Sequence, residues 1–409
     1  MNTQFKRVAY LAPELPSLSA TFVSNEIWAL EDMGVEIHPY SVHSPNAKAH
    51  GERAADLEAR TQIIYGQDFS QALKALGWNL LHHKRSSLRA FGYLARDLMK
   101  VGIFRQQSLK LVYQFLRGAW LARSMRGQNI EHLHIHFAHV PTQIGMYAAT
   151  LAGIPFTFMS HANDIFERPL LLKEKIQRAK KAVTISNFNI ELMTNHGGDP
   201  TQMSIVRCGV HPTELQRSDS SMDPRKPLII GTLGRLVEKK GVDTLILAAN
   251  VLKQKQIPFQ IQIAGDGPLT EELTSLVQEQ GLDDLVIFLG ALPHAKALSW
   301  MQGLDTFVLA GKKDAQGDMD GIPVVLMEAI NFGIPVLSTS LSGIPELVIH
   351  EKTGLLSQPG HAVDLASNIE RLFSDPELKK ALTTRAKAHL IAEFDQNLNA
   401  TRLNNVINA

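Results

Sequence analysis

Between residues 228 and 338, five short apolar runs (228–233, 259–264, 286–289, 306–309 and 335–338) alternate with four amphipathic runs (242–252, 269–279, 295–302 and 323–331). The short runs read as strands and the longer ones as helices. Strand–helix alternation at this rate commits a chain to a parallel sheet with right-handed crossovers and helices on both faces. The first half carries the same signature less regularly. Residues 7–11 and 35–42 read as strands around a helix over 21–33, with Phe22, Ile27, Leu30 and Met33 on its apolar side and Gly34 closing it. Strands follow at 132–137, 155–159 and 182–185, and helices at 142–152 and 187–195; 379–409 reads as helical. The polar run 214–226, containing Ser218, Asp219, Ser220, Ser221 and Pro224, reads as a linker. The expected fold is therefore α/β, with two Rossmann-like doubly wound domains facing each other across a cleft. Their expected bounds are 1–215 and 216–390, with a final helix over 391–409 returning to the first domain. Ligands of such sheets sit beyond the carboxyl ends of the strands.

The 409 residues suffice for two or three domains, and 44% hydrophobic with 20% charged residues is ordinary for globular chains. A net charge of +1 points to no nucleic-acid partner. A single cysteine, Cys208, excludes an intrachain disulfide and fits a reducing compartment. The apolar stretch at 8–12 is too short for a signal sequence, and no run of about 18 apolar residues suggests a membrane span. The expected location is cytoplasmic.

Chemistry concentrates at the strand-to-helix turns of the second half. Residues 231–241 (Gly-Thr-Leu-Gly-Arg-Leu-Val-Glu-Lys-Lys-Gly) lead from a strand through glycines to two cations, Arg235 and Lys240, and a helix start. Glycine permits close backbone approach, and a helix N-terminus favours anions, so a diphosphate fits. A solvated βα turn with surface cations has the same pattern. The run Ala264-Gly265-Asp266-Gly267-Pro268-Leu269 lacks the third glycine of a dinucleotide fingerprint and reads as a tight turn with Pro268 at the first helical position. This incomplete fingerprint argues against a dehydrogenase. Residues 317–329 place Asp318, Asp320, Gly321 and Ile322 before a helix whose first turn contains Pro323 and whose apolar body contains Glu328. A carboxylate there requires hydrogen-bond partners, which sugar hydroxyls or a neighbouring backbone group supply.

These motifs, in this order, resemble the family 4 glycosyltransferases of the GT-B fold, which share an E-x7-E motif. In the first half Leu18-Ser19-Ala20-Thr21-Phe22-Val23-Ser24-Asn25-Glu26, His136-Phe137-Ala138 and Ser160-His161-Ala162-Asn163-Asp164-Ile165-Phe166 look like the colanic-acid and amylovoran type of exopolysaccharide enzyme. The resemblance covers nearly the whole chain. It implies retaining transfer of a sugar from a UDP- or GDP-sugar to a glycan or polyprenyl-diphosphate-linked acceptor, with no metal and no cofactor. Arg235 and Lys240 would hold the donor diphosphate and Glu328 the ribose. Asp320 and His161 would be catalytic, at the donor sugar, and Asp318, Gly321, Ile322 and Pro323 would form the loop around it. Ser19, Thr21 and His136 would lie on the acceptor side. The family's first glutamate is here Asp320, shorter by one methylene and about 1.5 Å in reach. A nucleotide-sugar epimerase or a non-catalytic nucleotide-sugar binder on the same fold are the alternative readings.

Two further features stand apart. His132, His134 and His136 alternate on one strand face, with His139 following; without cysteines or a glutamate-bearing helix motif they read as packing or acceptor-side groups, not a metal centre. Residues 70–126 carry Lys74, Lys84, Arg85, Arg89, Arg96, Lys100, Arg105, Lys110, Arg117, Arg123 and Arg126 against one acid, Asp97. With Leu109, Val112, Tyr113, Leu116, Ala119 and Trp120 at helical spacing, this stretch reads as an element for an anionic membrane surface, on the inner face of the cell membrane. Helices packed into the domain, with solvated cations, are the other reading.

Overall fold

A computed structural model describes residues 6–17, 20–45, 51–167, 169–213 and 227–409. Ser19 and the expected linker at 214–226 lie outside the described residues. The chain divides into two compact units, Met1–Val206 with Gln396–Ala409, and Arg207–Asp395.

The N-terminal unit is built on seven strands: β1 (Arg7–Glu14), β2 (Glu36–His43), β3 (Gln62–Ile63), β4 (His132–His136), β5 (Phe156–Ser160), β6 (Lys181–Thr184) and β7 (Met203–Ile205). All pairs are parallel, in the order β3-β2-β1-β4-β5-β6-β7. The order reverses between β1 and β4, which makes their carboxyl ends the switch point of the sheet. β4 and β5 are buried along their whole length because helices cover both faces. Helices Lys84–Val101, Gln106–Gly127 and Val140–Ala152 pack together on the sheet. There the buried Asp97 accepts from Arg178 at 2.6 and 2.7 Å and from the Tyr147 hydroxyl at 2.6 Å. The last helix, Gln396–Asn408, packs on helix Thr21–Asp32 of this unit, and Lys180 donates to the Ile407 carbonyl at 2.8 Å.

The C-terminal unit has six parallel strands: β8 (Leu228–Leu233), β9 (Phe259–Ala264), β10 (Val286–Gly290), β11 (Thr306–Val308), β12 (Val336–Thr339) and β13 (Leu355–Ser357). Their order is β10-β9-β8-β11-β12-β13, with the reversal between β8 and β11. Ile230, Ile261, Val308, Leu337 and Leu355 share its core with Leu245 and Leu365 of the covering helices. Each unit is thus a Rossmann-like doubly wound domain.

Two proline placements differ from expectation. Helix Thr270–Glu279 begins two residues after Pro268, with Leu269 as its cap. Pro323 is not in the first turn of helix Val324–Asn331; it is the cap, in extended conformation, and its carbonyl accepts from Leu326 at 3.1 Å. In both places proline ends the incoming loop, where its missing N–H leaves no orphan.

Candidate functional site

In the C-terminal unit the strand-end turns are joined backbone to backbone. Gly234 donates to the Ala264 carbonyl at 3.1 Å and Leu236 to that of Asp266 at 3.0 Å. A Cβ on Gly265, which has φ +133°, would lie 1.9 Å from the Gly234 carbonyl oxygen. Gly241, at φ +63°, approaches Ala310 so closely that a Cβ would sit 1.8 Å from its carbonyl oxygen. The turn after β8 is therefore held against the turn after β9 and the loop after β11. Asp266 is consumed locally, by Gly267 N–H at 2.7 Å and the Thr270 hydroxyl at 2.9 Å.

This stitching brings four opposite charges together. Lys240 Nζ lies 2.6 Å from Asp320, and Lys239 Nζ lies 2.6 Å from Asp318 and 3.8 Å from Asp320. The four side chains are between 11% and 22% exposed, so the pairs are shielded from bulk solvent. Burial would lower the Lys239 pKa, but the hydrogen bond to Asp318 and the Asp320 charge hold it above its ordinary value. The loop itself is fixed: Asp314 accepts from Asp318 N–H at 2.8 Å, and the Ser342 hydroxyl bonds the carbonyls of Asp320 and Gly321. Gly321, Ile322 and Pro323 are buried. Arg235 stands exposed at the same turn, and its guanidinium has no hydrogen bond or ion pair among the described residues. Glu328, on helix Val324–Asn331, meets His294 Nε2 at 3.1 Å, so its partner in the free protein is a side chain and not a neighbouring backbone group.

The N-terminal unit gathers a second set at the carboxyl ends of β1, β4 and β5. Helix Thr21–Asp32 starts with Thr21, which is exposed, and presents Phe22 and Glu26 four residues apart on one face. Glu26 Oε1 accepts from the Tyr10 hydroxyl and lies 2.9 Å from His136 Nε2. His136 Nδ1 in turn is 3.1 Å from His161 Nε2. The His161 ring sits between Phe22 and Phe137, with centroids 4.7 and 4.8 Å away. Phe137 adopts φ +71°, a strained conformation for a bulky residue, and the Thr142 hydroxyl holds its carbonyl at 2.7 Å. The His161 main chain is clamped by the Asp164 carboxylate at 3.0 Å and by Asn189 at 2.9 Å.

Burial governs the charges here. It drives His134 and His136 down to about 3, and His132 and His161 well below the usual imidazole value, so all four rings are neutral at physiological pH. Burial raises Glu26 and Asp164. His132 and His134 both bond the Thr157 hydroxyl, at 3.0 and 2.7 Å. Ligating atoms of Glu26, His134 and His136 lie within 4.8 Å of one another, a spacing compatible with a metal ion. Tyr10 and His136 engage Glu26 Oε1 in a hydrogen-bonded chain, whereas the buried His134 Nε2 lies 3.8 Å from that oxygen and has no hydrogen-bond partner among the described residues.

The structure thus brings Arg235, Lys240, Asp318 and Asp320 to one sheet edge and His136 to His161, each within its own unit. Lys239, Tyr10, Glu26, Asp164 and Asn189 were not singled out from sequence. Glu26 and Asp164 do stand inside the quoted motifs, which was the available signal.

Residues 216–389 match the family described as glycosyl transferases group 1. The putative colanic acid biosynthesis glycosyltransferase of Salmonella typhimurium is 27% identical, over 95% of this chain and 96% of that one. The amylovoran biosynthesis glycosyltransferase of Erwinia amylovora is also 27% identical, over 96% and 97%. Among solved structures, Anabaena HepE, studied with UDP and with UDP-glucose, superposes with a TM-score of 0.69 for the UDP complex, at 16% identity over 97% of this chain and 98% of that one. Sucrose-phosphate synthase of Thermosynechococcus elongatus gives 0.70 at 17% identity, over 97% of both chains. The two doubly wound sheets are those of the GT-B fold. The C-terminal unit thus matches the glycosyl transferases group 1 family, and the chain as a whole is similar, over nearly its full length, to named exopolysaccharide glycosyltransferases.

Proposed function

We propose that the chain moves a sugar, with retention of configuration, from a nucleoside-diphosphate sugar to a glycan or lipid-linked oligosaccharide acceptor in exopolysaccharide biosynthesis. The observation that carries this reading is the Lys240–Asp320 pair beside Arg235, exposed and unpaired among the described residues, at the carboxyl end of β8. A diphosphate arriving at this turn meets two cations on glycine-built backbone. It competes with Asp320 for the Lys240 ammonium. The displaced carboxylate is then an acceptor for donor-sugar hydroxyls, with Asp318, Gly321, Ile322 and Pro323 forming the surrounding loop. Glu328 exchanges His294 for ribose hydroxyls. The UDP and UDP-glucose named for the Anabaena neighbour agree with such a donor.

In this reading the acceptor oxygen bonds to the anomeric carbon on the face from which the nucleoside diphosphate departs. The acceptor proton passes to a phosphate oxygen, and Arg235 and Lys240 stabilise the charge on the leaving group. No metal is invoked. Thr21 belongs to the acceptor side, whereas His136, fully buried with both ring nitrogens engaged, does not itself reach an acceptor; the basic helices of the N-terminal unit face an anionic membrane on which a lipid-linked acceptor resides.

The test is binding and turnover of UDP-, GDP- and ADP-sugars by wild type, Glu328→Ala and Lys240→Ala. One donor should bind, each variant should lower kcat/KM about tenfold to a hundredfold, and a chelator should leave turnover unchanged. Absence of nucleotide-sugar binding by folded protein overturns the donor assignment. An inverted anomeric product, read by proton NMR, overturns retention.

A further inference from the structure

The chain of contacts through Tyr10, Glu26 and His136 leaves His134 out. Its Nδ1 bonds the Thr157 hydroxyl at 2.7 Å, but its Nε2 is buried without a hydrogen-bond partner among the described residues. A buried polar atom left unpaired costs stability and calls for a physical reason. This nitrogen lies 3.8 Å from Glu26 Oε1, too far for a hydrogen bond, and His136 Nε2 lies 2.9 Å from the same oxygen. His134 and His136 alternate on β4, so both rings leave one face of the strand. Glu26 meets them from helix Thr21–Asp32.

We infer that Glu26, His134 Nε2 and His136 Nε2 are the ligands of a structural zinc ion that pins helix Thr21–Asp32 to β4. The three ligating atoms lie within 4.8 Å of one another. Zinc bonds of about 2.0–2.1 Å set tetrahedral ligand atoms roughly 3.3 Å apart. The separations of 2.9 and 3.8 Å bracket that value, so small side-chain shifts admit the ion. Two imidazoles and a carboxylate are a donor set that suits zinc. Each ligand is also held from behind, as metal ligands are: His134 Nδ1 by Thr157, His136 Nδ1 by the His161 ring at 3.1 Å, and Glu26 by the Tyr10 hydroxyl. Glu26 Oε2 makes no hydrogen bond among the described residues and closes the fourth position. On binding, the ion replaces the proton shared by Glu26 and His136, which leaves to solvent. Glu26, 14% exposed, supplies the solvent edge through which the ion enters. With its positions filled by protein atoms, the ion adds no step to sugar transfer.

The test is metal content and zinc affinity of the full-length chain, purified without a metal-binding tag, for wild type, His134→Leu, Glu26→Leu and Thr157→Val. Metal per chain is read by inductively coupled plasma mass spectrometry, and circular dichroism checks the fold. Unfolding in chelator and refolding gives the metal-free form for titration with zinc. Wild type should hold about one zinc per chain, and zinc should raise its thermal midpoint. His134→Leu and Glu26→Leu should retain less than about a tenth of the ion and bind zinc at least about a hundredfold more weakly. Thr157→Val, which removes only the group behind His134, should weaken zinc binding about tenfold to a hundredfold. Failure of folded wild type to bind zinc at micromolar concentration overturns the inference, and so does wild-type metal content in folded His134→Leu and Glu26→Leu. Should those two variants fail to fold, X-ray absorption of zinc-loaded wild type decides: two imidazoles in the first shell support the site, and none overturns it. None of these readouts depends on sugar transfer.

Discussion

Gly241 shows how a single residue holds the C-terminal cluster in place. Its φ of +63° is in the left-handed region, and the Ala310 carbonyl occupies the space of any Cβ at 1.8 Å. The obstacle is main chain, so no side-chain rotation relieves it. Gly241→Ala should cost at least about 3 kcal/mol, from conformation and clash together. Urea unfolding of the variant against wild type checks this, and equal midpoints would sink the account. The residues around Gly241 were legible from sequence in unequal degree. Arg235, Lys240, Asp320 and Glu328 stand out because charge meets glycine at a strand end. That Lys240 pairs with Asp320 across 80 positions was not legible, and neither was the part of Lys239. The Glu26–His136 contact spans 110 positions and was equally invisible. Local pattern marks which side chains are unusual; only the sheet order says which of them meet.

Among elements, the three helices Phe69–His82, Lys84–Val101 and Gln106–Gly127 depart most from an ordinary globular surface. Among the described residues, ten of the fifteen large apolar side chains left exposed lie between Phe69 and Val112, including Leu81, Leu88, Ile103, Phe104 and Leu109. The single acid of the stretch, Asp97, is withdrawn into the core against Arg178, while Lys74, Lys84, Arg85, Arg89, Arg96, Arg105, Lys110 and Arg123 remain exposed. Arg117 and Arg126 turn inward instead, donating to the carbonyls of Gln67 at 2.6 Å and Leu151 at 2.9 Å, and Lys100 pairs with Glu174. Apolar exposure together with this excess of cations fits an anionic bilayer. Wild type should cosediment with vesicles containing anionic lipid and much less with neutral ones. Leu81→Glu with Phe104→Glu, or Arg89→Glu with Arg96→Glu, should weaken binding at least about tenfold, given about 1 kcal/mol per cation. Equal binding to both vesicle types would remove the membrane reading. The element pattern also explains what the sequence concealed. Strands β3, β7 and β13 have two or three residues each and lie at sheet edges, too short to carry an alternation.

For the whole molecule, two doubly wound sheets were legible because strand–helix alternation runs through both halves, and each sheet reverses at its first strand. The stability of the N-terminal unit, however, depends on a group that no periodicity reveals. Lys175 is fully buried, and its ammonium donates to the carbonyls of Ala138 at 2.6 Å and Leu170 at 2.7 Å. Burial pulls its pKa from the ordinary 10.5 down to about 7, with Asp164, Asp97 and Glu174 resisting the fall. Between these two values the unfolded chain keeps the proton that the folded unit has released. The unfolded state therefore binds more protons, and stability rises with pH across this window. Below about pH 7 both states are protonated and the burial penalty is complete and constant. Relative to Lys175→Met, which cannot titrate, wild type should gain roughly 1.4 kcal/mol per pH unit between about pH 7.5 and 9.5. Hydrogen exchange at the amides of β4, β5 and β6 follows this unit separately from the C-terminal one. Because other titrations cancel in the comparison, parallel pH profiles for the two proteins would show that the amine keeps its proton in the folded core, and that the carboxylates around it outweigh its burial.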